Sequence, residues 1–333
     1  MWIKGDLHVH SNCCGDGTLP VAEIVERSKE YCDFIAISGH SRNPQFFRTE
    51  NQYVDVVAAR KKFDMPIFCT GEIEFPVPRH AMVLTTPDDR EMELLRELVG
   101  RFCRYDGIEG VDNAMKLLDF VDKNWHENCF MIFNHPNAPD VALDDLMKLA
   151  ESPVFRVLAC VDRGERRAPQ TWDVGAEWDK LLMAGFRIFT RCGSDFHCHF
   201  TDGGHDYYPG EFVQDCLLVE KNDYADIIRA YRQGNFYTMC GNLIDDPEFT
   251  LRADGDSRQI HLAFDLNGEM EKVEVISEGK VIEEFTDFSD RFDRTFAVPE
   301  GKYYRVRGMG KLQKRKYSEG EFEPLFLLNP IFA

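Results

Sequence analysis

The sequence predicts an α/β barrel followed by a small antiparallel β module, and three observations lead to this fold class. Strand-like and helix-like segments alternate through the first two thirds of the chain. Histidine and acidic side chains follow successive strands there, at the end of the barrel where such folds carry their sites. From about Asp245 onward, short segments alternate apolar and polar residues between Gly, Asp and Asn turns. We therefore expect a barrel over residues 1–244 and a β module over residues 245–333.

The barrel elements are predicted in order from hydrophobic period and helix boundaries. Residues 2–9 form a strand, and Pro20 then begins a helix for which Thr18 is a candidate cap. A short buried strand follows at residues 34–37. Further helices are predicted near residues 53–63, 91–103, 113–124, 143–150, 178–185 and 224–233, and further strands near residues 66–73, 81–84, 129–133, 155–158 and 187–191. The module strands are predicted near residues 259–266, 272–277, 280–285, 295–298 and 303–309.

Composition limits the possible partners and compartment. The 333 residues include 39 basic and 58 acidic side chains, which give a net charge of -19. Such a charge argues against binding to nucleic acid or to an anionic membrane through the overall field, but it does not exclude a small anionic substrate. The 11 cysteines contain no Cys-X-X-Cys pair, and no signal segment precedes the first strand. We expect a cytoplasmic protein, and a homo-oligomer is compatible with the sequence.

Most of the histidines fall into five short segments that resemble metal-binding sequences. Residues two apart on a strand project from one face, so His8 and His10 can bind one ion, and Asp195 and His197 have the same spacing. The candidate ligands are His8, His10, Asp16, His40, Glu72, His80, His135, Asp195 and His197. They exceed what one tetrahedral ion accepts, so the sequence predicts two or three divalent ions. So many imidazoles suit Zn, Mn or Fe better than Mg or Ca.

The order of these segments, from Gly5 to His197, resembles the polymerase and histidinol phosphatase (PHP) superfamily of metallohydrolases. The resemblance implies a distorted seven-stranded (β/α)7 barrel in which those nine residues are the metal ligands. The second motif of the family usually reads Thr-Asp-His, whereas this chain has Ser38-Gly39-His40 and lacks that carboxylate. The helix with Trp178-Asp179 and the closing residues 328–332 resemble a carbaryl-hydrolase-like branch, which often carries a β appendage.

The predicted chemistry is hydrolysis by a water molecule that bridges two of the ions, with Asp195 and His197 as catalytic ligands. His199 and His205, just past the last motif, are candidate general acids, although loop histidines more often have no such role. Arg42 and Arg163 are candidates to bind phosphate oxygens, because a guanidinium group can donate two hydrogen bonds to them. A surface salt bridge is an equally common role for such arginines.

Three functions remain open from the sequence. The first is a metal-dependent phosphoesterase for small phosphomonoesters or nucleotide-like compounds. The second is hydrolysis of a carbamate, amide or ester at the same metal site, which the carbaryl-hydrolase-like resemblance suggests. The third is a catalytically silent metal-binding regulatory protein, which Gly39 favours. The β module can be a lid, a dimer contact or a ligand-binding platform.

Overall fold

A computed structural model of the chain describes residues 1–41, 46–75, 79–102, 110–134, 142–162, 175–255 and 257–333. Its helices are α1 (Val21–Ser28), α2 (Phe46–Lys62), α3 (Glu91–Phe102), α4 (Gly110–Trp125), α5 (Leu143–Ala150), α6 (Gly175–Met183) and α7 (Tyr224–Gln233). Its strands are β1 (Trp2–Val9), β2 (Phe34–Ile37), β3 (Ile67–Cys69), β4 (Glu72–Glu74), β5 (His80–Thr85), β6 (Cys129–Asn134), β7 (Phe155–Asp162), β8 (Phe189–Gly193), β9 (Val213–Leu218), β10 (Phe236–Cys240), β11 (Ile244–Asp254), β12 (Ser257–Leu266), β13 (Met270–Ser277), β14 (Lys280–Phe285), β15 (Arg291–Ala297), β16 (Tyr303–Gly310), β17 (Gln313–Lys314), β18 (Glu321–Phe322) and β19 (Leu325–Phe332).

Two large sheets organise these elements. One has nine strands in the order β14-β13-β16-β19-β10-β9-β1-β2-β3, and the other has five in the order β4-β5-β6-β7-β8. Isolated bridges join Val9 to Phe196 and His40 to Glu72, and each connects a segment of one sheet to a segment of the other. The mixed α/β class is therefore confirmed. Within the described residues, these bridges and side-chain contacts join the two sheets, so a continuous (β/α)7 barrel stays a prediction.

The first helix shows how the sequence folds locally. Val21, Ile24 and Val25 of α1 are buried at helical spacing, which places one apolar face of the helix against the sheet. The N-cap of the helix is Pro20, and it makes no side-chain capping hydrogen bond. The expectation that Thr18 caps this helix is wrong, because the Thr18 hydroxyl donates to the carbonyl of His197 instead, at 3.3 Å. Thr18 thus contacts the last metal-binding motif.

The C-terminal strands continue the sheet that begins with β1. Strand β19 pairs antiparallel with β10 on one side and with β16 on the other. Strands β11, β12 and β15 form a separate three-stranded sheet, which packs on the larger sheet through an apolar cluster that includes Phe264 and Phe326. The division at residues 244 and 245 stays a prediction, although β11 begins at Ile244 and strands from both sides share one sheet.

A buried ion pair also ties helix α6 to strand β16. The Arg305 guanidinium donates two hydrogen bonds to the Asp179 carboxylate, both 2.8 Å long, and the Tyr303 hydroxyl donates a third at 2.6 Å. The Arg305 guanidinium also lies over the Trp178 ring, 4.9 Å from its centre. This contact fixes a helix of the first 244 residues to a strand beyond them. No helix in the described ranges combines the length and the apolar character needed to cross a membrane.

Candidate metal centre

Strand ends bring the predicted ligands together. Histidines 8 and 10 come from the end of β1, Glu72 begins β4, His80 begins β5, and residues 195 and 197 follow β8. Eight of the nine candidates lie in the described residues, and all eight fall into three groups whose ligand atoms lie within 4.8 Å of one another. The groups are His8, His10, Glu72 and Asp195; His10, Asp16, His40 and His197; and His40, Glu72 and His80. The ninth candidate, His135, lies outside the described residues.

The buried group formed by His8, His10, Glu72 and Asp195 has the spacing of a metal site. The Nε2 atoms of His8 and His10 are 3.3 Å apart. Each lies 3.2 Å from an Asp195 carboxylate oxygen and 3.1 to 3.2 Å from one of Glu72. A tetrahedral ion with bonds of about 2.0 Å to nitrogen separates its ligands by roughly 3.3 Å. The four side chains therefore fit one divalent ion.

The other two groups share residues with the first, so the three overlap. Asp16 lies 3.1 Å from His40 Nε2 and 3.7 Å from His197 Nε2. The other ring nitrogen of His40, Nδ1, is buried and makes no hydrogen bond among the described residues. It lies 3.5 Å from a Glu72 oxygen. His80 Nδ1 lies 3.0 Å from Glu72. Since each pair of groups has one residue in common, the eight side chains form one continuous cluster of potential metal ligands.

Neighbouring charges shift the pKa values of Asp195 and His10 in opposite directions. Burial opposes ionisation of Asp195, but the His8 and His10 rings outweigh this and lower its pKa. Burial also favours neutral His10, yet contacts with Asp16 and Asp195 raise its pKa well above 6.5. In the absence of metal, a proton on His10 offsets part of the carboxylate charge, and a divalent ion can replace it.

The stability of the metal-free protein and that of the metal-loaded protein should therefore change with pH in opposite directions. In the metal-free protein, the stability from protonated His10 is complete below pH 6.5 and is lost as pH rises through the raised folded-state pKa. A bound ion requires neutral His10, so metal-derived stability grows over the same interval. Melting temperatures of chelator-treated and Zn²⁺-loaded protein, measured from pH 6.5 upward, should diverge. If melting temperature changed equally with pH in the two forms, the assignment of His10 as a metal ligand would be contradicted.

The structure explains why Gly39 replaces the expected carboxylate. A Cβ atom at position 39 would lie 2.6 Å from Cys14 Sγ and 2.6 Å from Gln52 Oε1, so a larger side chain would have to displace Cys14 and Gln52. Gln52 accepts a hydrogen bond from the Gly39 amide at 3.0 Å and donates to the Thr70 carbonyl at 2.7 Å. The Gln52 amide thus links the segments after β2 and β3, and it helps to place His40 without an additional charge.

Three further residues support the ligands and are missing from the predicted site. Asn134 donates to Glu72 Oε1 at 3.0 Å, and it precedes His135 in a motif that the sequence identifies. Asp6, which lies in the first motif, accepts from the His8 amide at 3.0 Å. Asp206 accepts from the His197 amide at 2.7 Å. No sequence pattern identifies Asp206, because its loop lies beyond the last motif.

The predicted proton donors, His199 and His205, are not members of the three groups. The His199 ring stacks on Tyr208 with centres 3.9 Å apart, and its nitrogens contact Thr201 and Glu211. His205 is exposed. A general-acid role for either histidine stays a prediction. Arg42 and Arg163 lie outside the described residues.

Comparison with known proteins is informative at the level of fold. No protein-family model matches the sequence, and no curated protein matches it. The fold is similar to that of a two-domain protein containing a predicted PHP-like metal-dependent phosphoesterase from Bacteroides vulgatus, with 13% identity, a TM-score of 0.51, and coverage of 93% of this chain and 90% of that chain. A proposed metal-dependent phosphoesterase from Bifidobacterium adolescentis matches 61% of this chain and 90% of its own, with 14% identity and a TM-score of 0.37. The resemblance to PHP-like proteins is thus confirmed as a similarity of fold.

Proposed function

We propose that this protein is a metal-dependent phosphoesterase that hydrolyses small phosphomonoesters or nucleotide-like phosphate esters. The observation that carries the proposal is the overlap of three groups of imidazole and carboxylate ligands at one place in the fold. The Bacteroides vulgatus protein of similar fold contains a predicted PHP-like metal-dependent phosphoesterase, which supports the same reaction class. We also infer that the two bridged sheets form one distorted (β/α)7 barrel around this cluster.

Different residues of the cluster bind different ions. His8, His10, Glu72 and Asp195 hold one ion, and the groups on either side of His40 hold one or two more. When bound, divalent ions such as Zn, Mn or Fe supply an activated water and positive charge for the phosphoryl oxygens. The Asn134 amide and the His80 ring both contact Oε1 of Glu72, and these contacts orient the carboxylate.

Substrate recognition needs positive charge in a chain whose net charge is -19. The metal ions supply that charge locally, so an anionic substrate is compatible with an acidic protein. We propose that Arg42 and Arg163 add guanidinium donors for the phosphate oxygens. A small substrate is favoured over nucleic acid, because the overall field repels an extended polyanion.

The test combines metal analysis with two chromogenic substrates. Purified protein should contain at least two equivalents of transition metal and should hydrolyse 4-nitrophenyl phosphate. A chelator should abolish this activity, and added metal should restore it. His8→Ala should lose metal and activity, whereas the control His261→Ala should lose neither, because His261 lies on the three-stranded sheet beside Asp293.

Two outcomes would favour the alternatives. Metal-dependent hydrolysis of 4-nitrophenyl acetate without hydrolysis of the phosphate would indicate a carbamate, amide or ester hydrolase. Bound metal without turnover of either substrate would indicate the silent regulatory protein that Gly39 suggests.

A further inference from the structure

A buried charged network lies one layer below the proposed metal ligands. Asp6 lies two residues before His8 on β1, so both side chains project from the same face of the strand. Its neighbours in the network are Arg191 on β8 and Asp215 on β9, and all three side chains are fully buried. Arg191 donates from Nε to Asp215 at 2.6 Å and from Nη2 to Asp6 at 3.1 Å. One guanidinium thus links carboxylates from two strands.

The Asp6 carboxylate joins the two segments that carry most of the ligands. Its Oδ1 atom accepts from the His8 amide at 3.0 Å, and its Oδ2 atom accepts from the Ser194 amide at 3.1 Å. Ser194 immediately precedes Asp195. At this junction β1 and the segment after β8 share an isolated bridge, Val9 to Phe196, in place of a regular ladder. Two backbone hydrogen bonds form this bridge, from the His10 amide to the Phe196 carbonyl at 2.8 Å and from the Phe196 amide to the His8 carbonyl at 3.2 Å. The Asp6 carboxylate adds a side-chain link to Ser194, on the other side of Asp195 from Phe196.

The rest of the network fixes the position of Arg191. Asp215 also accepts from the Tyr231 hydroxyl at 2.6 Å and from the Thr238 hydroxyl at 2.8 Å. The Cys192 amide donates to Thr238 Oγ1 at 2.7 Å, which fixes the end of β8 just before the ligand segment. Strands β8, β9 and β10 and helix α7 all contribute to this arrangement.

The composition of the network argues against a role in stability alone. It contains two carboxylates and one guanidinium, and Arg191 Nη1 is buried with no hydrogen bond to any described residue. Burying such groups carries a desolvation cost, and well-packed apolar side chains are often as stable in the same place. A network that is costly, incompletely satisfied and bonded to the backbone beside His8 and Asp195 indicates a role in placing those ligands.

We propose that Asp6, held by Arg191, is a positioning residue that sets the spacing between the β1 ligands His8 and His10 and the segment that carries Asp195 and His197. The inference rests on the proposed metal site. Asp6 and Arg191 then contribute to the metal affinity of that site although neither contacts an ion. Hydrogen-bond partners one step behind metal ligands usually change metal affinity by about 10- to 100-fold.

The test compares Asp6→Asn with Asp179→Asn. Asparagine keeps the shape of the side chain, but one oxygen acceptor becomes a donor, so the amide of His8 or of Ser194 loses its partner. Asp179 is the matched control because it too is a buried aspartate that accepts hydrogen bonds from an arginine, Arg305. Both variants should lose stability. Only Asp6→Asn should weaken Zn²⁺ binding, by about 10- to 100-fold in competition with a chromogenic chelator.

A second measurement needs no metal. In chelator-treated protein, amide hydrogen exchange of the peptide over residues 192–197 should be faster in Asp6→Asn than in wild type and unchanged in Asp179→Asn. If Asp6→Asn fails to fold, Arg191→Lys replaces it, because a lysine ammonium cannot reproduce the two-sided contact of the guanidinium. Unchanged Zn²⁺ affinity and unchanged exchange in a folded variant would overturn the inference. A wild-type protein that binds no Zn²⁺ would contradict the proposed function, and the exchange rates would still decide whether Asp6 positions the segment.

Discussion

Replacing Asp195 with asparagine should remove most of the bound metal and nearly all hydrolytic activity while leaving the fold intact. Asp195 lies 3.2 Å from the Nε2 atoms of both His8 and His10, so its carboxylate is central to the buried group. Its amide counterpart carries no charge to offset a divalent ion. We expect a loss of metal affinity larger than the roughly 10- to 100-fold that follows the loss of a hydrogen-bond partner behind a ligand.

The choice of asparagine follows from the backbone. Asp195 has a φ of 49°, in the left-handed region that aspartate and asparagine adopt more readily than other non-glycine residues. Asp195→Ala would remove the carboxylate as well, but it would add backbone strain to the loss. Asp246 is a matched control, because it has a φ of 47° and lies on β11, away from the ligands. Asp246→Asn should keep both metal and activity. Near-normal turnover of Asp195→Asn with unchanged metal content would refute the assignment.

Truncating Phe326 should destabilise the protein by about 3 to 5 kcal/mol, the usual result for a buried phenylalanine. Phe326 is fully buried on β19, and its ring packs against that of Phe264 with centres 5.5 Å apart. Because β19 lies between β10 and β16, deletion of residues 325–333 would split the nine-stranded sheet and leave β10 and β16 each with one unpaired edge, and we expect no folded protein from it.

Urea unfolding of Phe326→Ala measures this effect directly. Ile331→Ala is the control, since Ile331 lies on the same strand but is only partly buried. Its loss of stability should be clearly smaller. Equal effects of the two substitutions would show that burial on β19 does not determine the stability of the sheet.

The sequence predicted most of the ligand cluster because spacing along a strand determines which side chains share a face. His8 and His10 needed only this rule, and the resemblance to PHP proteins added His40 and His80. Supporting residues were harder to identify. Arg191 is an arginine in an apolar strand, and nothing in its neighbours along the chain reveals two buried carboxylates. Gln52 contacts Gly39 from helix α2, 13 residues later and outside the Ser38-Gly39-His40 motif, so the motif alone does not identify it.

The alternation of helices and strands was also predicted, whereas the pairing of the strands was not. Hydrophobic period indicates whether a segment is a strand, but it carries no information about which strand lies beside it. The sequence therefore suggested a separate β module from Asp245 onward. In the structure β19 lies next to β10, and the sheet continues through β9 to β1, a pairing that hydrophobic period alone does not predict.

The central position of β19 also affects the order in which the protein can fold. Asn329 of this strand donates to the Phe236 carbonyl 93 residues earlier and accepts from the Thr190 amide 139 residues earlier. Contacts over such separations form slowly, because a long loop must close before they gain any free energy. Until β19 pairs with β10, one edge of β10 is unpaired and accessible to other chains. The interval before this last strand is inserted is therefore the stage at which the protein is most exposed to aggregation.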